Sequence, residues 1–138
     1  MPGSYLIDSA DRLVYSRAWG RLTAVDLTSH ARTLRDDSRF DPSFRQIADL
    51  REVTEFRVSG PNIQLLATMN PFGPGSRRAL IVVAEVAHGL ARMYEASFAT
   101  PPEGFRIFPS LSDGFAWLGL DAQTRWPARK PDATFGAV

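Results

Sequence analysis

The chain has 138 residues, 44% hydrophobic and 22% charged, the balance of one soluble globular domain and too short for a two-domain enzyme. It contains no cysteine, which excludes a disulfide scaffold, a thiol nucleophile and a thiolate zinc site. Sixteen basic residues against 15 acidic ones leave a net charge of +1, no electrostatic footprint for general nucleic-acid binding or for an anionic membrane surface.

All but one of the basic residues are arginine, Lys130 being the lysine, and arginine abundance alone marks no anion site. The N-terminus, Met1-Pro2-Gly3-Ser4-Tyr5, lacks a basic segment followed by an apolar run, so no signal peptide is expected. The longest apolar stretch, Ala79 to Ala84, falls far short of the roughly 20 residues that span a bilayer. A cytoplasmic protein with no integral membrane association is expected.

In chain order, Tyr5-Leu6-Ile7 and Leu13-Val14-Tyr15 flank the turn-rich Asp8-Ser9-Ala10-Asp11-Arg12 and predict a hairpin whose second strand stops at Gly20. Thr23 and Asp26 have capping-box spacing, and Leu27, Ala31 and Leu34 recur at helical intervals, predicting a helix from Thr23 to Arg35. Gln46 to Leu50 reads as a short buried strand, and the charged stretch Arg51 to Val58 reads as a loop. Ser59-Gly60-Pro61 opens a second helix in which Ile63, Leu66 and Met69 share a face, and Asn70 to Ser76 breaks it. The apolar run Ala79 to Ala84 is expected to be the central parallel strand, covered on both faces. A third helix follows from Val86 to Ala99 with Leu90, Met93 or Tyr94, and Phe98 on its buried side. Phe105 to Phe108 alternates as a strand, and Ser112 to Leu118 forms a last short helix around Phe115 and Leu118. Strands joined by single helices pair in parallel with right-handed crossovers, giving an α/β domain over residues 1–120. Residues 121–138, with Trp126 and Phe135 among prolines and charges, read as a C-terminal extension, disordered by default or docked on a neighbour in a homodimer.

This element order resembles the SpoIIAA-like family, small bacterial proteins that share the STAS fold with anti-sigma-factor antagonists and are distantly related to lipid-carrying Sec14 domains. The residues that carry the resemblance are the Gly20 to Asp26 entry to the first helix, Phe40-Asp41-Pro42, Ala48 to Val53, Arg78 to Val82, Gly89 to Glu95, Phe105 to Phe108 and Ala116-Trp117-Leu118. The resemblance implies a mostly parallel sheet of four or five strands with an antiparallel first strand, backed by about four helices.

In STAS antagonists the loop after the third strand carries an Asp-Ser-Ser-Gly type motif whose serine is phosphorylated, switching partner binding through added charge. The matching loop here is Arg57-Val58-Ser59-Gly60-Pro61, with Val58 at the aspartate and Gly60 at a second serine. Ser59 reads as the cap of the second helix ahead of a phosphoacceptor, since serine is a favoured cap in any protein. The carboxyl ends of the strands collect Arg57 and Ser59, then Glu85 and His88, then Pro109 and Ser110. Ser59, His88 and Glu85 could be drawn as a hydrolase trio, but no Gly-x-Ser-x-Gly elbow exposes the serine. His30 reads as a surface or boundary residue and His88 as a helix-start residue. The two share no helical turn, so no metal site is expected. No Gly-Lys-Ser or Gly-Lys-Thr loop spells a nucleotide site, and no cofactor is expected.

Met69, Phe72, Leu90, Met93, Tyr94 and Phe98 can be plain core, or can line a pocket or interface between the second and third helices. Two functional readings follow. One is a non-enzymatic STAS-like binding module that engages a protein partner through the Arg57 to Pro61 loop. The other, which the distant Sec14 kinship implies, is a carrier of a small apolar ligand or lipid.

Overall fold

A computed structural model describes residues 3–98, 104–120 and, for the backbone, Ala133–Phe135. Its elements run β1 (Gly3–Asp8), β2 (Leu13–Thr23), α1 (Ala24–Asp36), β3 (Arg45–Arg57), α2 (Gly60–Thr68), β4 (Arg78–Ile81), α3 (Glu85–Ala96), β5 (Phe105–Phe108), α4 (Leu111–Trp117) and β6 (Ala133–Phe135). They form one mixed sheet of order β5-β4-β3-β2-β1-β6. β1 is antiparallel to β2, and the β2, β3, β4 and β5 neighbours pair in parallel through their intervening helices.

The expected helices begin at their caps. Thr23 Oγ1 accepts from the Asp26 amide at 3.2 Å while Asp26 Oδ2 accepts from the Thr23 amide at 2.8 Å, a closed capping box at the start of α1. Ser59 and Asn62 close a second box on α2, and Ser110 caps α4.

Three expectations are corrected. The segment from Arg51 to Arg57 is not a loop: β3 continues through it, paired with a β2 that also runs past Gly20 to Thr23. Gly20, at φ +67°, sits among the register shifts that bend this extension. The charges that look loop-like lie on the solvent face, where Arg17 reaches Glu52 at 2.5 Å and Arg21 reaches Glu55 at 2.8 Å across the two strands. Buried Val53 and partly buried Phe56 supply the inner face. β4, second, is not central. It ends at Ile81 between β3 and β5, and the apolar run then leaves the sheet, with Val83 64% exposed. An apolar run reports coverage, not position in the strand order. Third, the extension contributes a strand, since Ala133–Phe135 pairs antiparallel with β1 of the same chain. Trp126 lies outside the described residues.

Strand alternation sends side chains to two cores. On one face Tyr5, Ile7, Val14, Ala18 and Leu22 meet Leu34 of α1 and Phe72. On the other, Leu13, Tyr15, Ile47, Ala79 and Ile81 meet Phe115 of α4 and its C-cap, Leu118. Gly114 lets α4 lie close on that face, since a Cβ there would stand 2.6 Å from Ile81 Cδ1. Among the described residues no helix is long and apolar enough to cross a membrane.

Candidate ligand cavity

The face bearing α1, α2 and α3 is incompletely filled. α3 turns Ala87 and Ala91 to the sheet, and these are its buried residues. Leu90 and Tyr94 are only partly buried, and Met93 is 44% exposed. Together with Ala18 and Ala48 of the sheet, Ala87 and Ala91 line a cavity of about 160 Å³ between the sheet and the three helices. Its walls are mainly apolar: Leu22 and Ala48 from the sheet, Leu27 from α1, Ile63 and Leu66 from α2, and Leu90 from α3, with Phe72 and Phe105 beside them.

The floor is polar and continuous. Ser16, Gln46 and Arg78 occupy inward positions on three adjacent strands and are joined side chain to side chain. Arg78 Nε donates to Gln46 Oε1 at 3.1 Å, and Gln46 Nε2 donates to Ser16 Oγ at 3.0 Å. Ser16 Oγ lies 2.9 Å from His30 Nε2. At the other end, Arg78 Nη1 donates to the Tyr94 hydroxyl at 2.9 Å. Guanidinium can only donate, so Gln46 must present its oxygen to Arg78 and its amide nitrogen to Ser16. The Ser16 hydroxyl can then donate a hydrogen bond to Nε2 of a neutral His30 that carries its hydrogen on Nδ1.

The surroundings keep His30 neutral. Burial strips water from the imidazole and the Arg78 cation opposes a second positive charge, so its pKa falls from 6.5 to about 4. The Tyr5 ring meets it edge-on at 5.7 Å. Among the described residues, no group of three His, Asp or Glu side chains could hold a metal ion.

Among solved structures, the chain resembles that of an uncharacterized protein of the DUF3478 family, with a SpoIIAA-like fold, from Shewanella loihica PV-4. The match has a TM-score of 0.55 at 21% identity and covers 84% of this chain and 91% of that one. The chain has a SpoIIAA-like fold. No family model matches the sequence, and no curated protein does.

Within the SpoIIAA-like domain the predicted site residues separate. Phe72, Leu90 and Tyr94 line the cavity. Met69 is the C-cap of α2 and Met93 lies over Gly60, where an added Cβ would stand 3.2 Å from its methyl. Phe98 packs its ring edge-on to Tyr94 at 5.1 Å. In the loop, Val58 is on the cavity wall, Arg57 pairs with Glu55 at 2.9 Å, and Gly60 and Pro61 form the first turn of α2. Ser59 Oγ is engaged with Asn62, donating to Oδ1 at 2.7 Å and accepting from the amide at 3.3 Å.

The sequence reading missed Ser16, Gln46 and Arg78 and placed His30 at the boundary. Their signal was present as polar side chains at inward positions of otherwise apolar strands. A buried polar group needs a partner, so such positions point to one another.

Proposed function

We propose that this SpoIIAA-like domain binds a small, largely apolar molecule with one polar end in the cavity beneath α1, α2 and α3, without transforming it. The observation that supports this is the cavity of about 160 Å³ with apolar walls and a fully connected polar floor. An apolar cavity of about 150 Å³ accommodates a benzene-sized guest, so the matching occupant is one ring or a short branched chain with a compact polar group.

Ser16 and His30 stand at nucleophile-to-base distance, and the chemistry still favours binding. The hydroxyl already accepts from Gln46, and an imidazole held at about 4 is a weak base at neutral pH.

Native mass spectrometry of untagged protein, compared with the same sample denatured, tests the reading. A mass excess lost on denaturation is expected for the wild type and for Met93→Trp, whose side chain is off the wall. Leu90→Trp, on the wall, should abolish it. A clean chain mass for wild type and both variants would sink the proposal.

A second reading, engagement of a protein partner through the Arg57 to Pro61 loop and adjoining helices, is favoured by exposed apolar residues there. Leu65 is 52% exposed, Val83 and Val86 64%, and Met93 44%. If Arg57→Ala and Ser59→Ala leave partner binding unchanged, the loop plays no part.

A further inference from the structure

The ligand's polar end can be assigned a charge, an inference that rests on the cavity reading above. Arg78 lies on the cavity wall, and the acceptors it reaches, Gln46 Oε1 and the Tyr94 hydroxyl, are both neutral. Its guanidinium carbon sits 4.7 Å from the Phe72 ring centre, 5.4 Å from that of Tyr94 and 5.7 Å from that of Phe105. Among the described residues no carboxylate pairs with it, and its Nη2 nitrogen has no hydrogen-bond partner. Arg17, the other arginine at the wall, is already paired with Glu52 at 2.5 Å.

An arginine cannot discard its proton as a buried lysine can, so the cavity carries one positive charge at any physiological pH. Three ring faces and two neutral acceptors offset that charge in part. What would complete it is an anion presenting two oxygens in a plane to the remaining face of the fork.

We propose that the cavity takes a small monocarboxylate with an apolar body, its carboxylate held by Arg78 and its body among the aliphatic and aromatic walls. One cation without a carboxylate partner among the described residues matches one negative charge. A phosphate dianion would leave a net negative charge in a site with few other donors, since neutral His30 is tied to Ser16. The Ser16–Gln46 chain positions the guanidinium by fixing the amide oxygen that holds Nε.

Two matched probe pairs separate charge from shape: benzoate with benzamide, and hexanoate with hexanamide. Toluene reports the cavity alone, and phenylphosphonate reports a dianion. Titrations at pH 7, followed by amide chemical shifts, should show at least one carboxylate binding wild type about tenfold or more tighter than its amide. Arg78→Met should lose that preference and still bind toluene. Arg78→Lys, which keeps the charge but not the fork, should lose part of it.

Equal affinity for carboxylates, amides and toluene would overturn the carboxylate inference and leave the cavity reading standing. Tighter binding of phenylphosphonate than of benzoate would overturn the single-charge argument. Failure of every probe, toluene included, to perturb cavity residues at millimolar concentration would remove the cavity reading and this inference with it. The wild-type comparison decides the question even if Arg78→Met fails to fold.

Discussion

Lowering the pH from 7 to 5 should destabilise this protein chiefly through His30. Its pKa is 6.5 in the unfolded chain and about 4 in the fold, so between these values the unfolded chain binds more protons and acid favours unfolding. The contribution is therefore complete above pH 6.5 and is lost as pH falls through 4. At 1.36 kcal/mol per pH unit, the full displacement corresponds to about 3 kcal/mol. At pH 5 an unfolded histidine is almost wholly protonated and the folded one about a tenth so, which gives a loss of about 2 kcal/mol relative to pH 7. Part of the His30 residue reaches the surface, so this is an upper figure. Asp37 does not confuse the window. Its carboxyl is held at about 2, chiefly by the Arg39 side chain, so its stabilisation is present above the ordinary carboxylate range and lost only as pH falls towards 2. Urea unfolding at pH 7 and pH 5, followed by tryptophan fluorescence, measures the difference for wild type and for His30→Gln, which can still bond to Ser16 but cannot titrate. The wild type should lose about 2 kcal/mol more than the variant. An equal loss in both would refute the claim that burial and Arg78 hold His30 neutral.

Two further predictions concern the frame around the cavity. Gly104→Ala would place a Cβ 2.1 Å from the Ser76 carbonyl oxygen, a backbone atom that cannot swing away, and should cost about 3 kcal/mol. Gly75→Ala meets nothing within 4 Å and should stay within about 0.5 kcal/mol, so equal thermal melts of the two variants would contradict the close approach. Ser59→Ala removes the α2 cap and should cost about 1 kcal/mol in urea unfolding, a loss that Ser59→Asp should restore because aspartate also caps. No loss in the alanine variant would show that the capping box carries no stability.

The fold was legible in the sequence because its signals are local. Thr23 with Asp26 and Ser59 before Pro61 mark helix starts through hydrogen bonds that close within three residues. The periodicity of Leu27, Ala31 and Leu34 likewise needs no distant partner. β3 beyond Leu50 was not legible, because Glu52 and Glu55 belong to a strand only when Arg17 and Arg21 lie beside them, more than 30 residues away in the chain.

The cavity was legible in part. Phe72, Leu90 and Tyr94 were in the expected apolar set, but helical spacing alone could not tell which neighbours of Ala87 and Ala91 face the sheet. That depends on how α3 is rotated over β3 and β5. The sequence by itself thus determined the order of elements from β1 to α4, the caps of α1 and α2 and the alternation that divides the core between two faces. The tertiary structure decided the strand order, the cavity between the sheet and three helices, and the joining of His30, Ser16, Gln46, Arg78 and Tyr94 into one polar floor. Those five residues come from α1, three strands and α3, and a hydrogen bond between side chains exists only once packing has brought them within about 3 Å of one another.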